Sequence, residues 1–541
     1  MRDKIFGWIR SRSIDQLASC SEIFWGEALS SPHTISCLKQ VEGFFKKNSA
    51  FANSDCDRQA LTTFLRAEKI CRITNRRLDF YYVNRDRLDP DVDLQISKAE
   101  QIVSQTLGDF RTFIGLLPTA VRLTSGATAS TPRSQAFPWA KVKLSPWATL
   151  GAAKYLIPLS SYYGYPELRT KTAFTNRVEV VPKNWKTGRT IACEPEGNLP
   201  LQLALDGYIK KRLRRKLGID LSDQSRNQNL AKEGALTQRF ATIDLSMASD
   251  TLSLNTARWL IPSEWYKYLK DTRSPVGRLS DGTLVPYAKL SSMGNGFTFS
   301  IETLIFSSLC KAVGSRDFSV YGDDIIIETE LVPKLTTLLS FFGFLINHQK
   351  SFTSGPFRES CGANWHGETD VTPFRIQEWS TARAVLSHNV NGLASRCIPG
   401  GTLAKALKNL IEEFKLPFVP FNENSMSGIF IDIQTSYTKK LLRKDLRKHL
   451  HCLMFKGYVP DTHRGVKGSG TCFDTRSLFL WHLDKGRLKD ITFREDPVVV
   501  RSGTTRLCTK YVRKWVHWFP PVAVIPVHLY WWTDYIAGKI P

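Results

Sequence analysis

Short apolar stretches punctuated by turn residues run through the middle of the chain and read as strands set between helices. Phe240 to Ile243 is one such run, a buried strand that delivers Asp244 at its end. Phe318-Ser319-Val320 and Ile325-Ile326-Ile327 are two more. The four residues between them, Tyr321-Gly322-Asp323-Asp324, predict the tight turn of a β-hairpin with a Gly-Asp pair at the bend. From Phe240 to Cys361 such strands alternate with helices, which predicts a compact mixed layer. Residues 1 to about 125 look mainly helical and mixed in charge, with basic and aromatic side chains gathered between Arg72 and Arg87. Thr124 to Pro138, rich in Ser, Thr, Gly and Pro, reads as a loop. Beyond about residue 371 the pattern turns helical and basic again, with Tyr437 to Lys456 predicted as a helix, before a Trp- and Pro-rich tail.

Composition narrows the class. With 541 residues the chain should divide into two to four subdomains, and 42% hydrophobic content excludes a disordered protein. Lys and Arg number 74 against 50 Asp and Glu, a net charge of +24 that calls for a polyanionic partner. A membrane is the poorer choice of partner. The long apolar run from Trp515 to Trp532 is broken by Pro520, Pro521 and Pro526, and no signal-peptide stretch follows Met1, so a cytoplasmic location is expected. The 11 cysteines are scattered without a C-x-x-C spacing, which predicts reduced thiols rather than disulfides or a zinc site.

Against that background the paired carboxylates at the hairpin tip stand out. Asp323 and Asp324 repel each other unless a cation sits between them, although Asp and Gly are also common in plain surface turns. If the Phe240–Ile243 strand lies beside the hairpin, Asp244 joins them, and three hard oxygen donors without His or Cys suit Mg²⁺. Asp250 reads equally as the N-cap of a helix starting at Thr251. Lys183, Lys186 and Arg189, spaced three apart on a loop, suit a triphosphate, or simply a solvated face. Met293-Gly294-Asn295-Gly296-Phe297 predicts a glycine-rich turn that lets backbone approach a ligand, with Asn295 and Thr298 as small polar groups for a ribose or base edge.

In this order, these segments resemble the right-hand RNA-dependent RNA polymerases, and within them the replicase catalytic beta subunits of Q-beta-like positive-strand RNA bacteriophages. The resemblance rests on Asp244-Leu245-Ser246 through Asp250, on Met293 to Phe299 with Glu302, and on Tyr321-Gly322-Asp323-Asp324. Gly343-Phe344 through Asn347 to Lys350, and Gly355 through Gly362, agree as well. It covers about residues 177 to 375. It implies an α+β right-hand fold with fingers, palm and thumb, an antiparallel palm sheet and helical flanking regions. The implied divisions are an N-terminal region with fingers over 1–235 (basic NTP loop 177–195), a palm over 236–370 with an inserted fingers segment at 255–290, and a thumb and C-terminal region over 371–541.

The resemblance further implies that Asp244, Asp323 and Asp324 are catalytic and hold two Mg²⁺ ions, with Mn²⁺ as a substitute. Lys183, Lys186 and Arg189 match the loop that grips the triphosphate. Asp250 with Asn295 matches the pair that recognises the ribose 2′-hydroxyl, Thr298 joins the NTP-binding set, and Lys350 matches a lysine proposed as general acid toward pyrophosphate. Where the broader pattern has Ser-Gly-x-x-x-Thr-x-x-x-Asn, this chain has Met293 and Glu302 at the ends, so a sugar contact from Asn at 302 is absent. Implied partners are template and product RNA, NTPs, and the host elongation factors Tu and Ts with a ribosomal protein, in a bacterial cytoplasm. A reverse transcriptase shares a Tyr-x-Asp-Asp hairpin but normally carries a residue other than glycine before the aspartates. A non-catalytic basic RNA-binding phage protein fits the charge, yet gains nothing from three carboxylates set against phosphate.

Overall fold

The structure is a computed structural model. It describes residues 55–124, 126–133, 145–162, 169–183, 187–376, 382–396, 402–421, 423–432, 446–449, 452–467, 504–518 and 527–539, with single positions between 32 and 43 and at 136 and 141. These residues fall into two compact units, one built on 55–370 and the other on 371–467 and 504–539 with the positions at 32–43.

The first unit opens with three helices, α1 (Cys56–Val83), α2 (Pro90–Leu107) and α3 (Phe110–Ala120). Asp89 and Asp109 cap the second and third by accepting backbone N–H groups of the first turn, and Pro90 takes the position where a missing N–H costs nothing. A hairpin follows, β1 (Thr175–Pro182) and β2 (Gly188–Cys193), then α4 (Asn198–Leu217) and α5 (Ser225–Thr237). Helix α4 carries Lys211, Arg214, Arg215 and Lys216 on its exposed face and ends on Gly218 in the left-handed region, φ +68°.

The chain then enters the sheet that positions the site: β3 (Phe240–Ile243), β4 (Leu245–Ser246), the short α6 (Ala248–Thr251), α7 (Leu254–Leu260) and α8 (Ser263–Thr272). Strands β5 (Val276–Arg278) and β6 (Leu284–Pro286) leave this layer and join the earlier hairpin in the order β2-β1-β5-β6. Helix α9 (Thr298–Ala312) returns to the centre, followed by β7 (Ser319–Tyr321), β8 (Asp324–Glu328), α10 (Val332–Phe341), β9 (Leu345–Ile346), β10 (Phe357–Ser360) and β11 (Ala363–His366). The central sheet is antiparallel, ordered β3-β8-β7, with Ile325 opposite Ile243 and Glu328 opposite Phe240.

All four residues of β3 and the Ile325–Ile327 run are buried, which explains continuous apolar strands in place of alternating ones. Each buried isoleucine contributes about 1.5–3 kcal/mol. Arg358 fastens the edge: fully buried, it donates from Nε to the Phe240 carbonyl at 2.7 Å and from Nη1 to the Gly355 carbonyl at 2.7 Å. Burial pushes its guanidinium down to about 10.

The second unit holds α11 (Arg383–Ala394), α12 (Thr402–Glu413), the parallel pair β12 (Phe418–Pro420) and β13 (Ile429–Ile431), and the antiparallel set β14 (Leu446–His449), β15 (Cys452–Lys467) and β16 (Thr504–Trp518), then α13 (Val527–Ile536). The expected helix at Tyr437–Lys456 is therefore wrong over 446–449 and 452–456, which are strand; 437–445 lie outside the described residues. The reason is a partner: β15 pairs from Leu453 to Lys467 with the distant β16, β14 folds back on β15 as a hairpin, and Phe455 is buried against Val419 with Val516 beside it. Long-range pairing of this kind overrides the helical preference of Leu, Lys and Arg. The apolar run at 515–532 resolves into the end of β16 and part of α13, with 519–526 outside the described residues. Among the described residues no helix is long and apolar enough to cross a membrane. Cys56, Cys71, Cys193, Cys310 and Cys361 are free thiols, as the scattered spacing predicts.

Candidate active site

The expected hairpin forms. Tyr321 pairs with Asp324, so Gly322 and Asp323 are its two turn residues, and Gly322 has φ +64°. Positive φ at the first turn position is what glycine supplies in such hairpins. A side chain there has no room either, since a Cβ would come 2.3 Å from the Phe299 ring. Helix α9 supports the turn from below: the Gly322 N–H donates to Thr303 Oγ1 at 3.0 Å, and Phe299 meets Tyr321 edge-on at 5.0 Å between ring centres.

The register brings the carboxylates together. Continued one residue past the pair Ile325–Ile243, this register sets Asp324 across from Asp244, and the two carboxylates lie close enough for each to act on the other's charge. Opposed residues of an antiparallel pair have Cα atoms about 4.5–5.5 Å apart. Asp323 follows on the turn, exposed, while Asp244 and Asp324 are half-buried. Burial first, then the charges of Asp323, Asp244 and Glu359, push Asp324 up to about 7. Asp244 is also raised, by burial first and with Asp323 and Glu359 adding, against the pull of Lys350 and of an Asn347 hydrogen bond. That bond runs from Asn347 Nδ2 to Asp244 Oδ2 at 2.7 Å, and the Asn347 N–H donates to the Asp244 carbonyl at 2.9 Å. On the other carboxylate, Ser360 Oγ donates to Asp324 Oδ1 at 3.4 Å.

Two half-buried carboxylates that hold protons too tightly, with a third open to solvent beside them, form an all-oxygen donor set suited to a hard divalent cation. Such an ion relieves both the repulsion and the desolvation. As they stand, no three His, Cys, Asp or Glu side chains among the described residues are drawn in tightly enough to enclose an ion.

Of the basic loop, Lys183 and Arg189 are described and Lys186 lies outside the described residues. Lys183 sits below the ordinary lysine range, through desolvation first and then the charges of Arg189 and Lys350; Asp244 and Asp323 pull it back up. The loop's lysine, Lys350 and the carboxylates thus share one electrostatic neighbourhood, with Lys350 itself exposed.

The glycine-rich turn does open a helix, but its close approach is to protein. Gly294 has φ +116°, and a Cβ on it would lie 2.1 Å from the Ala192 carbonyl oxygen, whose own residue donates its N–H to the Met293 carbonyl at 2.7 Å. This seats the turn on β2. Asn295 Oδ1 accepts the Ser292 N–H at 2.9 Å, which leaves the amide nitrogen as its donor end, and Thr298 Oγ1 donates to the Ser292 carbonyl at 3.0 Å.

Asp250 is not an N-cap. It lies within α6, and the cap of the next helix is Ser253, which accepts the Thr256 N–H. Its carboxylate is instead paired with Lys289, Nζ to Oδ1 at 2.8 Å. Sequence reasoning gave no role to Lys289, Asn347 or Glu359. A lysine inside an apolar stretch has no local signature, whereas Asn347 and Glu359 already stood in the segments that carry the resemblance.

Comparison with known proteins now bears on this arrangement. The family model for the RNA replicase beta-chain matches residues 20–393. The chain belongs to that family. It is 33% identical over 490 residues to the RNA-directed RNA polymerase subunit beta of Escherichia virus Qbeta, covering 85% of this chain and 81% of that one. To the same subunit of Enterobacteria phage SP it is 41% identical over 331 residues, 60% of this chain and 57% of the relative. To the RNA-directed RNA polymerase beta chain of Escherichia phage MS2 it is 43% identical over 208 residues, 38% of each. Among solved structures, the BmCPV RNA-dependent RNA polymerase at elongation state has a TM-score of 0.39 at 10% identity, over 60% of this replicase beta-chain relative and 33% of that protein, too distant to carry an argument.

Proposed function

We propose that Asp244, Asp323 and Asp324 are the centre of nucleotidyl transfer in this replicase chain. As a member of its family the chain is an RNA-directed RNA polymerase, a nucleotidyltransferase of RNA bacteriophage type. The observation that supports the site assignment is the register of β3 against β8, whose continuation past Ile243 and Ile325 sets Asp244 across from Asp324, beside the turn that holds Asp323. These carboxylates would hold two Mg²⁺ ions, or Mn²⁺ in their place, and the bound ions would supply Lewis acidity toward the attacking 3′-hydroxyl and the leaving pyrophosphate.

The surrounding residues then have distinct tasks. Asn347 fixes the rotamer of Asp244. Lys183, Lys186 and Arg189 neutralise the triphosphate, and Lys350 donates a proton to pyrophosphate as it leaves. Asp250, Asn295 and Thr298 recognise the nucleoside. In this reading 236–370 is the palm, with β3-β8-β7 its antiparallel sheet. Residues 1–235 with the inserted segment 255–290 make the fingers, and 371–541 the thumb and C-terminal region. That β5 and β6 pair into the sheet of β1 and β2 supports grouping the insertion with the fingers. The template, the product and NTPs are the ligands, in a host bacterial cytoplasm. Elongation factors Tu and Ts and a ribosomal protein are proposed partners, checked by what co-purifies from the host.

Asp323→Asn tests the centre. Nucleotide incorporation on a primed RNA template should fall below detection while RNA affinity, read by filter binding, changes less than about twofold. Full activity in the variant overturns the assignment.

A further inference from the structure

Lys289, like Arg358, is a fully buried cation of the first unit, with none of its side chain exposed. Its Nζ lies 2.8 Å from Asp250 Oδ1 and 3.3 Å from Glu68 Oε1, and 3.7 Å from the centre of the Phe64 ring. Glu68 and Phe64 belong to α1, whereas Asp250 belongs to α6 next to the carboxylate strand. The lysine therefore ties the first helix of the unit to one residue of the nucleoside site.

Glu68 is itself fixed from the other side. Its Oε2 accepts the Ala288 N–H at 2.7 Å, so the carboxylate is anchored to the residue next to the lysine it neutralises. From α1, the Cys71 thiol donates to the Asp250 carbonyl of α6 at 3.3 Å, which holds the backbone of that turn against α1. Asp250 keeps 12% of its side chain exposed. Its first oxygen is taken by the lysine, and its second has no protein hydrogen-bond partner among the described residues. Two carboxylates gather around one lysine, with the buried Arg273 guanidinium also acting on Glu68, and a packed core does not need so many charged groups. An apolar trio of similar volume would be as stable or more so. The arrangement instead does something an apolar trio cannot, which is to hold a carboxylate in one orientation by committing its first oxygen.

We propose that Lys289 is a positioning residue for sugar selection, committing Asp250 Oδ1 and so presenting Oδ2 as the acceptor for the 2′-hydroxyl of the incoming nucleotide. The proposal rests on the assignment of Asp250 to the ribose. A hydroxyl that meets a fixed acceptor contributes binding that a deoxyribose forfeits, and a freely rotating carboxylate gives little of that discrimination. Glu68 keeps the lysine from drifting toward solvent and is the more distant support.

The experiment is single-nucleotide incorporation by the full chain on a primed RNA template, with ATP and dATP compared by kcat/KM. Lys289→Gln should lower the ATP-to-dATP ratio about tenfold, through a higher KM for ATP with kcat and the dATP constants little changed. Because that variant leaves two carboxylates facing each other, Lys289→Gln with Glu68→Gln is made alongside it; it removes one charge of each sign and should give the same ratio with a higher Tm. Equal loss for ATP and dATP in the double variant overturns the proposal, because that is what a purely structural role produces. Failure of both variants to fold overturns it for the same reason. Asp250→Ala separates the layers. If it leaves the ratio intact, the ribose assignment beneath the proposal is wrong; if it collapses the ratio while the double variant does not, the lysine alone is acquitted of the role.

Discussion

Glu302 shows how a single side chain reports on its surroundings. It sits on α9 with 3% of its surface exposed, and its Oε1 has no hydrogen-bond partner. Burial first, then the charges of Asp323 and Asp250, push its carboxyl up to about 8, against a hydrogen bond with the Ser249 side chain. A carboxyl whose folded value of about 8 exceeds its ordinary 4.5 contributes stability at low pH that drains away as pH rises through about 8. Glu302→Gln should therefore melt with the parent near pH 5 and about 2 °C or more above it at pH 9. A Tm difference that is the same at both pH values contradicts this. The position also illustrates what the sequence made legible: that residue 302 departs from the usual asparagine is plain from the motif, but that its side chain is buried with one oxygen left without a partner depends on the packing of α9.

At the level of elements, the hairpin and β3 were readable because apolar runs end sharply at Asp244 and at Tyr321, and burial on both faces leaves those runs no other use. Their adjacency was only a supposition until the register fixed it. The cap assigned to Asp250 failed because Ser253, three residues before Thr256, competes for the same task and wins. The helix expected at 437–456 failed because 453–456 pair with a strand about sixty residues further along, which leaves no local trace, and 446–449 fold back onto them. The turn itself invites a test. Gly322→Ala forces a Cβ toward the Phe299 ring, 2.3 Å away, at a φ that alanine disfavours. The expected cost is about 2–4 kcal/mol of stability, read as a lowered urea midpoint, with incorporation lost sooner than the fold. Trimming the ring in Gly322→Ala with Phe299→Leu should recover about half of that loss; no recovery would mean that backbone strain alone is responsible.

For the whole molecule, the net charge of +24 sets the scale of its dealings with RNA. Exposed Lys211, Arg214, Arg215 and Lys216 on α4 and the basic stretch from Arg72 to Arg87 supply much of that charge on the surface of the first unit. Affinity for a single strand should fall linearly in log–log form as salt rises, with a slope near −0.7 for each phosphate neutralised, hence about −4 for six contacts. A slope shallower than about −1 would show that the charge serves something other than RNA. Composition alone announced this property.

The pairing of Ile325 with Ile243 has a consequence for how such a chain can change over time. Side chains on a strand point alternately up and down, so adding or deleting one residue between Phe240 and Asp244 would swing that aspartate to the opposite surface while leaving the composition almost untouched. Substitutions along this stretch can be absorbed one methylene at a time. Frame-preserving insertions and deletions cannot, and the four-residue spacing is the quantity that inheritance has to protect.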